Sequence, residues 1–431
     1  MSDINLSLEQ AILVHVNFPQ QHNSEDLTEL QLLVSSAGVQ TLEIITTNRS
    51  APDTKHFVGS GKAAEIAQVV EQTQANLVIF NHALTPAQTR NLERLCQTRV
   101  IDRTTLILDI FAQRARTYEG KLQVELAQLQ HLASRLVRGW DGLDRQKGGI
   151  GMRGPGEAQL ETDRRLLKVR VTALQAKLAK LTTQREQSRR ARQKAATPVI
   201  SLVGYTNAGK SSLFNRMTDS EVYAADQLFA TLDPTLRQLS LPIVGGVVLA
   251  DTVGFIRHLP HNLVAAFKST LQETREADLQ LHIVDAADPR KTDNMQQVSK
   301  VLEEIGADQI SQLTVYNKID LLNQAPRIEY NEYNLPEAVY VSAHTGQGID
   351  LLIQAIAQLL SQKHIDVKLV LPPEHAAWRA RCHEQHSVEQ ESFDDAGNCH
   401  LTLSIANAVW QRWLKQSNGE IENYVVSTTD F

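Results

Sequence analysis

Residues 204 to 211 read GYTNAGKS: a glycine, four residues, then Gly-Lys-Ser. Glycines at this spacing let backbone amides approach phosphate oxygens, the lysine reaches the β- and γ-phosphates of a nucleoside triphosphate, and the serine hydroxyl can sit on Mg2+. VISLVG in front has the composition of a buried strand, and SSLFNRM behind it that of a helix. The first amides of that helix then face the phosphates, where orphan N–H groups and the dipole both favour an anion. The expected phosphate-contacting set is Gly204, Tyr205, Thr206, Asn207, Ala208, Gly209, Lys210, Ser211 and Ser212.

Four further stations follow in order. FATLDPT supplies Phe229, Ala230 and Thr231, the last with a hydroxyl for Mg2+ and the γ-phosphate. VVLADTVGF ends an apolar strand with Asp251, Thr252, Val253 and Gly254; Asp251 would hold the metal through water, and the Gly254 amide would meet the γ-phosphate. Loops of this kind are ordered by the γ-phosphate and released on hydrolysis. The base is decided by NKID, where Asp320 can accept from the guanine ring N–H and exocyclic amine, which adenine does not offer, while Asn317 and Lys318 brace the loop and flank the base. A site whose buried polar group is left unpaired by the wrong ligand discriminates by roughly 10⁴ to 10⁵. In VSAHTGQG the backbone of Ser342, Ala343 and His344 is placed to touch the guanine carbonyl. GTP rather than ATP is the expected substrate, with Lys210, Thr231 and Gly254 at the reacting phosphate and Ser211 and Thr231 on Mg2+.

Where Ras-type enzymes place a water-orienting glutamine after DxxG, this chain has Phe255, so intrinsic hydrolysis is expected to be slow and to be completed by a partner or a cation. Asn207 stands where potassium-dependent GTPases place a K+-ligating asparagine; a loop-shaping role explains it equally well.

Four parts must position these residues. Residues 1–114 alternate strand-like runs (AILVHVNF, VQTLEIITT, NLVIF) with helix-like ones (KAAEIAQVV, PAQTRNLERL), a small α/β subdomain in which Thr85-Pro86 marks a helix start. GSGK at 59–62 lacks both the first glycine and the metal hydroxyl of a P-loop and reads as a turn into a helix. In residues 115–196, Leu122, Leu126, Leu129, Ala133 and Leu136, then Leu167, Val171, Leu174, Leu178 and Leu181, repeat at alternating spacings of four and three, the seam of an antiparallel helical hairpin. Between them, residues 139–156 carry seven glycines with Arg145, Lys147 and Arg153, a basic loop suited to probing a narrow RNA-lined site. Residues 197–364 form the nucleotide domain, a mostly parallel sheet with helices on both faces and the nucleotide at the carboxyl ends of the strands. Residues 365–431 read as a small α+β domain: a strand, a helix, a hairpin turning at DDAGN, and a final helix.

At 431 residues the chain can bury several cores, and 42% hydrophobic with 21% charged is ordinary for a globular protein. No basic leader and no apolar run of the ~18 residues needed to span a bilayer is present, and the three cysteines form no close pair, which suits a cytoplasmic place. Cys382, His383, His386, Cys399 and His400 gather near the C-terminus, but HEQH lacks one residue of the HExxH zinc pattern and no CxxC occurs. The net charge of -6 conceals segregation: residues 113–194 hold 19 Lys or Arg against 8 Asp or Glu, net +11, leaving -17 elsewhere. Such a segment suits a polyanionic partner or a solvated helical face.

The five stations resemble a translation-factor-class GTPase domain. GGIGMRGPGEAQLETDRR at 148–165, with VGSGKAAEIA, FNHALTPAQTRNLE, VIDRTTLILDIFAQRA and ATLDPT, is similar to HflX, a bacterial GTPase family that associates with the large ribosomal subunit. The resemblance spans about residues 10–365. It implies that the N-terminal unit and hairpin contact ribosomal RNA, that the loop around Lys147 to Gly156 reaches toward the peptidyl-transferase region, and that GTP hydrolysis serves the splitting or rescue of stalled ribosomes under stress. A GTP-controlled RNA- or protein-binding switch, for regulation or ribosome assembly, in which hydrolysis only resets the state, is the alternative.

Overall fold

Near the N-terminus, β1 (Gln10–Asn17) is buried along nearly its whole length, as expected of a central parallel strand with helices on both sides. With β2 (Gln40–Asn48), β3 (Leu77–Phe80) and β4 (Arg99–Asp102) it forms a parallel sheet of order β2-β1-β3-β4. The helices pack in pairs, α1 (Leu27–Ser36) with α4 (Arg103–Arg114) and α2 (Ser60–Thr73) with α3 (Pro86–Cys96). Strand residues Ile12, Val14, Val78 and Phe80 meet Ala63, Ile66 and Leu92 in one core cluster. Thr85 does start α3, through a capping box in which Gln88 N donates to Thr85 Oγ1 (3.3 Å) and Thr85 N donates to Gln88 Oε1 (2.9 Å). At Gly59, in front of α2, a Cβ would fall 2.4 Å from Arg49 Nη1, so the turn of GSGK is filled by an arginine, and Lys62 pairs with Glu65 at 2.8 Å.

The computed structural model describes residues 9–19, 26–138, 155–194, 197–218, 227–242, 244–257, 271–361, 364–384, 387–394, 396–406 and, in part, 410–430. By contacts the chain divides into two units: Met1–Thr183 with Ala225–Asp233 and Val253–Leu271, and Gln184–Ala224 with Pro234–Thr252 and Gln272–Phe431. In the first, α5 (Tyr118–Arg138) and α6 (Pro155–Lys194) are joined along Leu122, Leu126 and Leu174, flanked by Leu129, Val171, Leu178 and Leu181, and Arg170 Nε donates to Glu125 at 2.7 Å. The glycine-rich loop with Arg145, Lys147 and Arg153 lies outside the described residues.

The second unit holds a seven-stranded sheet of order β10-β11-β9-β8-β5-β7-β6. Its parallel strands are β5 (Val199–Gly204), β7 (Gly245–Asp251), β8 (Leu279–Asp285), β9 (Gln312–Asn317) and β11 (Pro336–Tyr340). The edge strands β6 (Thr235–Leu241) and β10 (Arg327–Tyr330) run antiparallel. Among the described residues, helices α7 (Lys210–Thr218), α8 (Gln272–Arg275), α9 (Lys291–Ile305) and α10 (Ile349–Ser361) accompany it. The C-terminal part is an antiparallel sheet of order β13-β14-β12-β15, built from β12 (His364–Leu371), β13 (Val388–Phe393), β14 (Cys399–Ala406) and β15 (Val425–Asp430), with α11 (Ala376–Glu384).

Outside the GTPase domain, four described helices and strands exceed the sequence expectation. α4 is buried on more than one side and carries little 3.6-residue alternation, whereas α1 buries one face but its apolar residues also include the exposed Leu32; their starts are set by Asp26, accepting from Thr28 N and Glu29 N, and Asp102, accepting from Thr105 N. β4 has only four residues. β15, VVSTTD, has few apolar positions because it is an edge strand paired on one side to β12. Of the expected final helix, Trp410, Trp413 and Leu414 are described, as helical, and the two tryptophans join the C-terminal core with Cys382 and Cys399.

Candidate functional site

β5 is buried between β7 and β8 and delivers Gly204 to the carboxyl edge of the sheet. A Cβ at Gly204 would lie 2.3 Å from Ile283 O, so no other residue lets the chain turn so close to β8. The loop continues through Asn207 in the left-handed region (φ 61°) to Gly209 (φ 91°), where a Cβ would meet Asn317 Nδ2 at 2.2 Å. Lys210 then opens α7. Its Nζ donates to Gly204 O (3.1 Å) and Tyr205 O (2.8 Å), coiled back over the loop. Burial lowers its pKa to about 8, offset in part by the negative charge of Asp251. Thr206 Oγ1 is buried without a partner among the described residues.

Ser211 Oγ donates to Asp251 Oδ2 at 2.8 Å, and Thr252 Oγ1 donates to Leu202 O at 2.6 Å. A serine hydroxyl beside a carboxylate is a pair of hard oxygen donors, the type that Mg2+ takes together with waters and phosphate oxygens, so these residues fit that ion.

Three loops at the same edge are tied together by one side chain. Asn317 Nδ2 donates to Ala208 O (2.9 Å), and its Oδ1 accepts from Ala343 N (2.9 Å). Lys318, left-handed at φ 65°, pairs with Asp285 at 2.8 Å. Asp320 sits in the following 3-10 turn, and its Oδ1 is buried with no hydrogen-bond partner among the described residues. A carboxylate oxygen in that condition fits a ligand edge that donates, as guanine does. Ser342 N donates to Gln347 O (2.9 Å), which closes the Ser342-Ala343-His344 loop.

Thr231 and Phe229 fall in the segment Ala225–Asp233, and Val253 and Gly254 in Val253–Leu271, both grouped with the first unit. Phe229 is left-handed at φ 57°. Gly254 is buried, and the Phe255 ring beside it is 1% exposed, so it offers water no hydrogen bond. The structure thus brings together Gly204 to Ser212, Asp251, Thr252, Asn317, Lys318, Asp320 and Ser342 to His344 within the second unit.

Residues that the motifs did not reveal also serve this edge. Arg216 on α7 donates to Ala343 O (3.3 Å) and His344 O (2.7 Å) and so holds the last loop. Asp285 fixes Lys318; as the polar end of the apolar run LQLHIVD, it repeats the pattern of Asp251 and was findable. His282, buried in β8, has its pKa pushed down to about 4, chiefly by burial.

Residues 24–112 match the family described as GTP-binding GTPase N-terminal, 114–192 the GTP-binding GTPase Middle Region, and 199–318 the 50S ribosome-binding GTPase. The GTPase HflX of Escherichia coli strain K12 is 59% identical over 415 residues, covering 96% of this chain and 97% of that one. The GTPase HflX of Caldanaerobacter subterraneus subsp. tengcongensis is 44% identical over 397 residues, covering 92% and 91%. Among solved structures, a GTP-binding protein from the archaeon Sulfolobus solfataricus in complex with GDP aligns over 82% of this chain and 98% of its own, at 24% identity and a TM-score of 0.45. The order and placement of the GTPase motifs, the three family matches and the likeness to the two HflX proteins over more than nine-tenths of the chain carry one conclusion: the chain belongs to the HflX family of GTPases.

Proposed function

We propose that the protein is a cytoplasmic GTPase whose nucleotide state governs its binding to the large ribosomal subunit, and that it splits or rescues stalled ribosomes under stress. The observation that carries this reading is the hairpin. A seam of leucines stiffens α5 against α6, and the stretch around them holds 19 Lys or Arg against 8 Asp or Glu, with Arg145, Lys147 and Arg153 in the connecting loop. A rigid basic arm on a nucleotide switch is the form a protein needs to read ribosomal RNA and report the result. The same charge on a solvated surface would have no reason to end in a loop of seven glycines.

At the GTPase site, Asp320 would select guanine, with Asn317 holding its loop against the P-loop and the Ser342 to His344 backbone. Lys210, once phosphate draws it from the Gly204 and Tyr205 carbonyls, would neutralise the β- and γ-oxygens, and the Gly254 amide would meet the γ-phosphate. Ser211 and Thr231 would hold Mg2+, with Asp251 acting through water; the ion would supply charge neutralisation to the phosphates. Phe255 cannot orient the attacking water, so the partner is expected to supply that function. Asn207, whose left-handed backbone suits asparagine on conformational grounds alone, is the candidate K+ ligand.

The test is GTP turnover, against ATP, with and without purified large subunits, in potassium and in sodium. Strong stimulation by the subunit, with ATP inert, supports the reading. Unchanged turnover would place the GTP-controlled switch ahead of it, and equal rates in the two cations would end the K+ role of Asn207.

A further inference from the structure

Within the first unit, the segment that carries Thr231 is fastened to the N-terminal elements at both of its ends. At its start, Leu228 N donates to Ser36 Oγ at the end of α1 (2.8 Å), and Arg114 at the end of α4 reaches the Gln227 side chain and Ser36 O (3.1 Å). Phe229 holds a left-handed φ of 57°, which a phenylalanine seldom adopts, and sets its buried ring edge-on to Phe111 of α4, with centroids 4.6 Å apart.

At its other end, Asp233 grips the first turn of α5. Oδ2 accepts from Arg116 N (2.9 Å) and Thr117 N (2.8 Å), and Oδ1 accepts from Thr117 Oγ1 (2.6 Å). Thr117 is itself the N-cap, its Oγ1 accepting from Gly120 N at 2.9 Å. The hairpin helix is therefore capped twice, once by its own threonine and once by a carboxylate from far along the chain, whose charge suits the positive end of the helix dipole. An independent mark of the same contact is Gly120. Glycine inside a helix is unfavourable, yet a Cβ here would fall 2.1 Å from Asp233 Oδ1. The glycine makes room for the carboxylate.

We infer that Asp233 is a positioning residue for the GTPase: capping α5 from two residues beyond Thr231, it makes the order of the nucleotide-responsive segment and the seating of the hairpin helix one event. By linkage, whatever fixes the hairpin then biases the nucleotide state, and the nucleotide biases the hairpin by the same factor. The inference rests on Thr231 responding to the γ-phosphate and is independent of what the hairpin binds.

Hydrogen exchange on the full chain, loaded with GDP or with a non-hydrolysable GTP analogue, tests it. In the wild type the amides of residues 116–120 should change between the two states together with those of 228–233. Asp233→Ala should speed exchange at 116–120 by about fivefold, the usual size of a lost cap, and erase the difference between the nucleotides there. Asp233→Asn keeps one acceptor oxygen and should retain part of the response. Gly120→Ala improves helix propensity but wedges the carboxylate away, so it should behave like Asp233→Ala. In both disruptive variants kcat for GTP should shift while GDP affinity stays within about twofold, because a structural loss would move both. Identical exchange at 116–120 in the two wild-type states, or a Gly120→Ala protein with a wild-type response, overturns the coupling. If 228–233 alone responds, the reading of Thr231 survives without it; if neither segment responds, both fall.

Discussion

With Oδ1 of Asp320 buried and unpartnered among the described residues, replacing this carboxylate by an amide breaks no hydrogen bond of that oxygen and, on the proposed reading, removes the acceptor for two guanine donors. Asp320→Asn should leave thermal stability intact and weaken GTP binding by roughly 10² to 10⁴, the worth of two hydrogen bonds to a charged group. Xanthosine triphosphate, whose 2-carbonyl accepts from the new amide, should recover much of that loss in a competition titration. Lys210 gives a second handle. Its pKa in the folded chain is about 8 against 10.5 ordinarily, so between these values the unfolded chain holds a proton that the folded chain has released, and stability of the nucleotide-free protein rises with pH across that window. Phosphate beside the ammonium restores the charged form. GTP binding should therefore take up close to one proton at about pH 9 and almost none at about pH 6.5, measured calorimetrically in buffers of different ionisation heat. Lys210 and Asp320 stand out in the sequence because phosphate and guanine chemistry would demand those side chains at a fixed spacing. Arg216 and Asn317 differ on this point. Asn317 belongs to a motif, whereas Arg216 acts on the Ala343 and His344 carbonyls 127 and 128 residues away, a pairing no local pattern encodes.

The hairpin was legible for a different reason: its periodicity is itself the packing instruction, and the seam residues Leu122, Leu126 and Leu174 meet as the spacing implies. That core is small. Among the described residues Leu174, 1% exposed, is the one fully covered seam residue contributed by α6, so Leu174→Ala should cost about 2 to 4 kcal/mol locally. The expected result is loss of exchange protection along residues 118–138 with GDP affinity unchanged, since the residues proposed to contact guanine and phosphate lie on other elements; equal loss of nucleotide binding would contradict that separation. Elements without such a signal were missed. α4 is buried among its neighbours and reads RTTLILDIF with no regular polar face, and β15 owes its existence to one partner strand, β12, at an edge where apolar residues are not required. In each case the neighbours, not the local residues, decide the element.

Across the molecule, the sequence showed that charge is segregated but not which structural unit the segments carrying Thr231 and Gly254 join. Residues 225–233 and 253–271 lie between strands of the GTPase sheet in sequence, yet by contact they group with the N-terminal elements, because Phe229, Gln227 and Asp233 find partners there and Arg103, paired with Glu29, donates to Arg257 O at 3.5 Å. Those partners come from α1, α4 and the start of α5, two of which the sequence did not announce. The charge division then makes a demand on the proposed partner. A net of +11 in residues 113–194 against -17 elsewhere favours the approach of a polyanion to the hairpin region over the rest of the chain. Binding to the large subunit should accordingly weaken steeply with salt. Neutralising Arg145, Lys147 and Arg153 together should flatten the slope of log affinity against log salt by about 2, three phosphate contacts at ~0.7 each. A variant with the wild-type slope would mean that these three side chains never meet phosphate. The phosphate contacts would then belong to other basic side chains, of which residues 113–194 hold sixteen more.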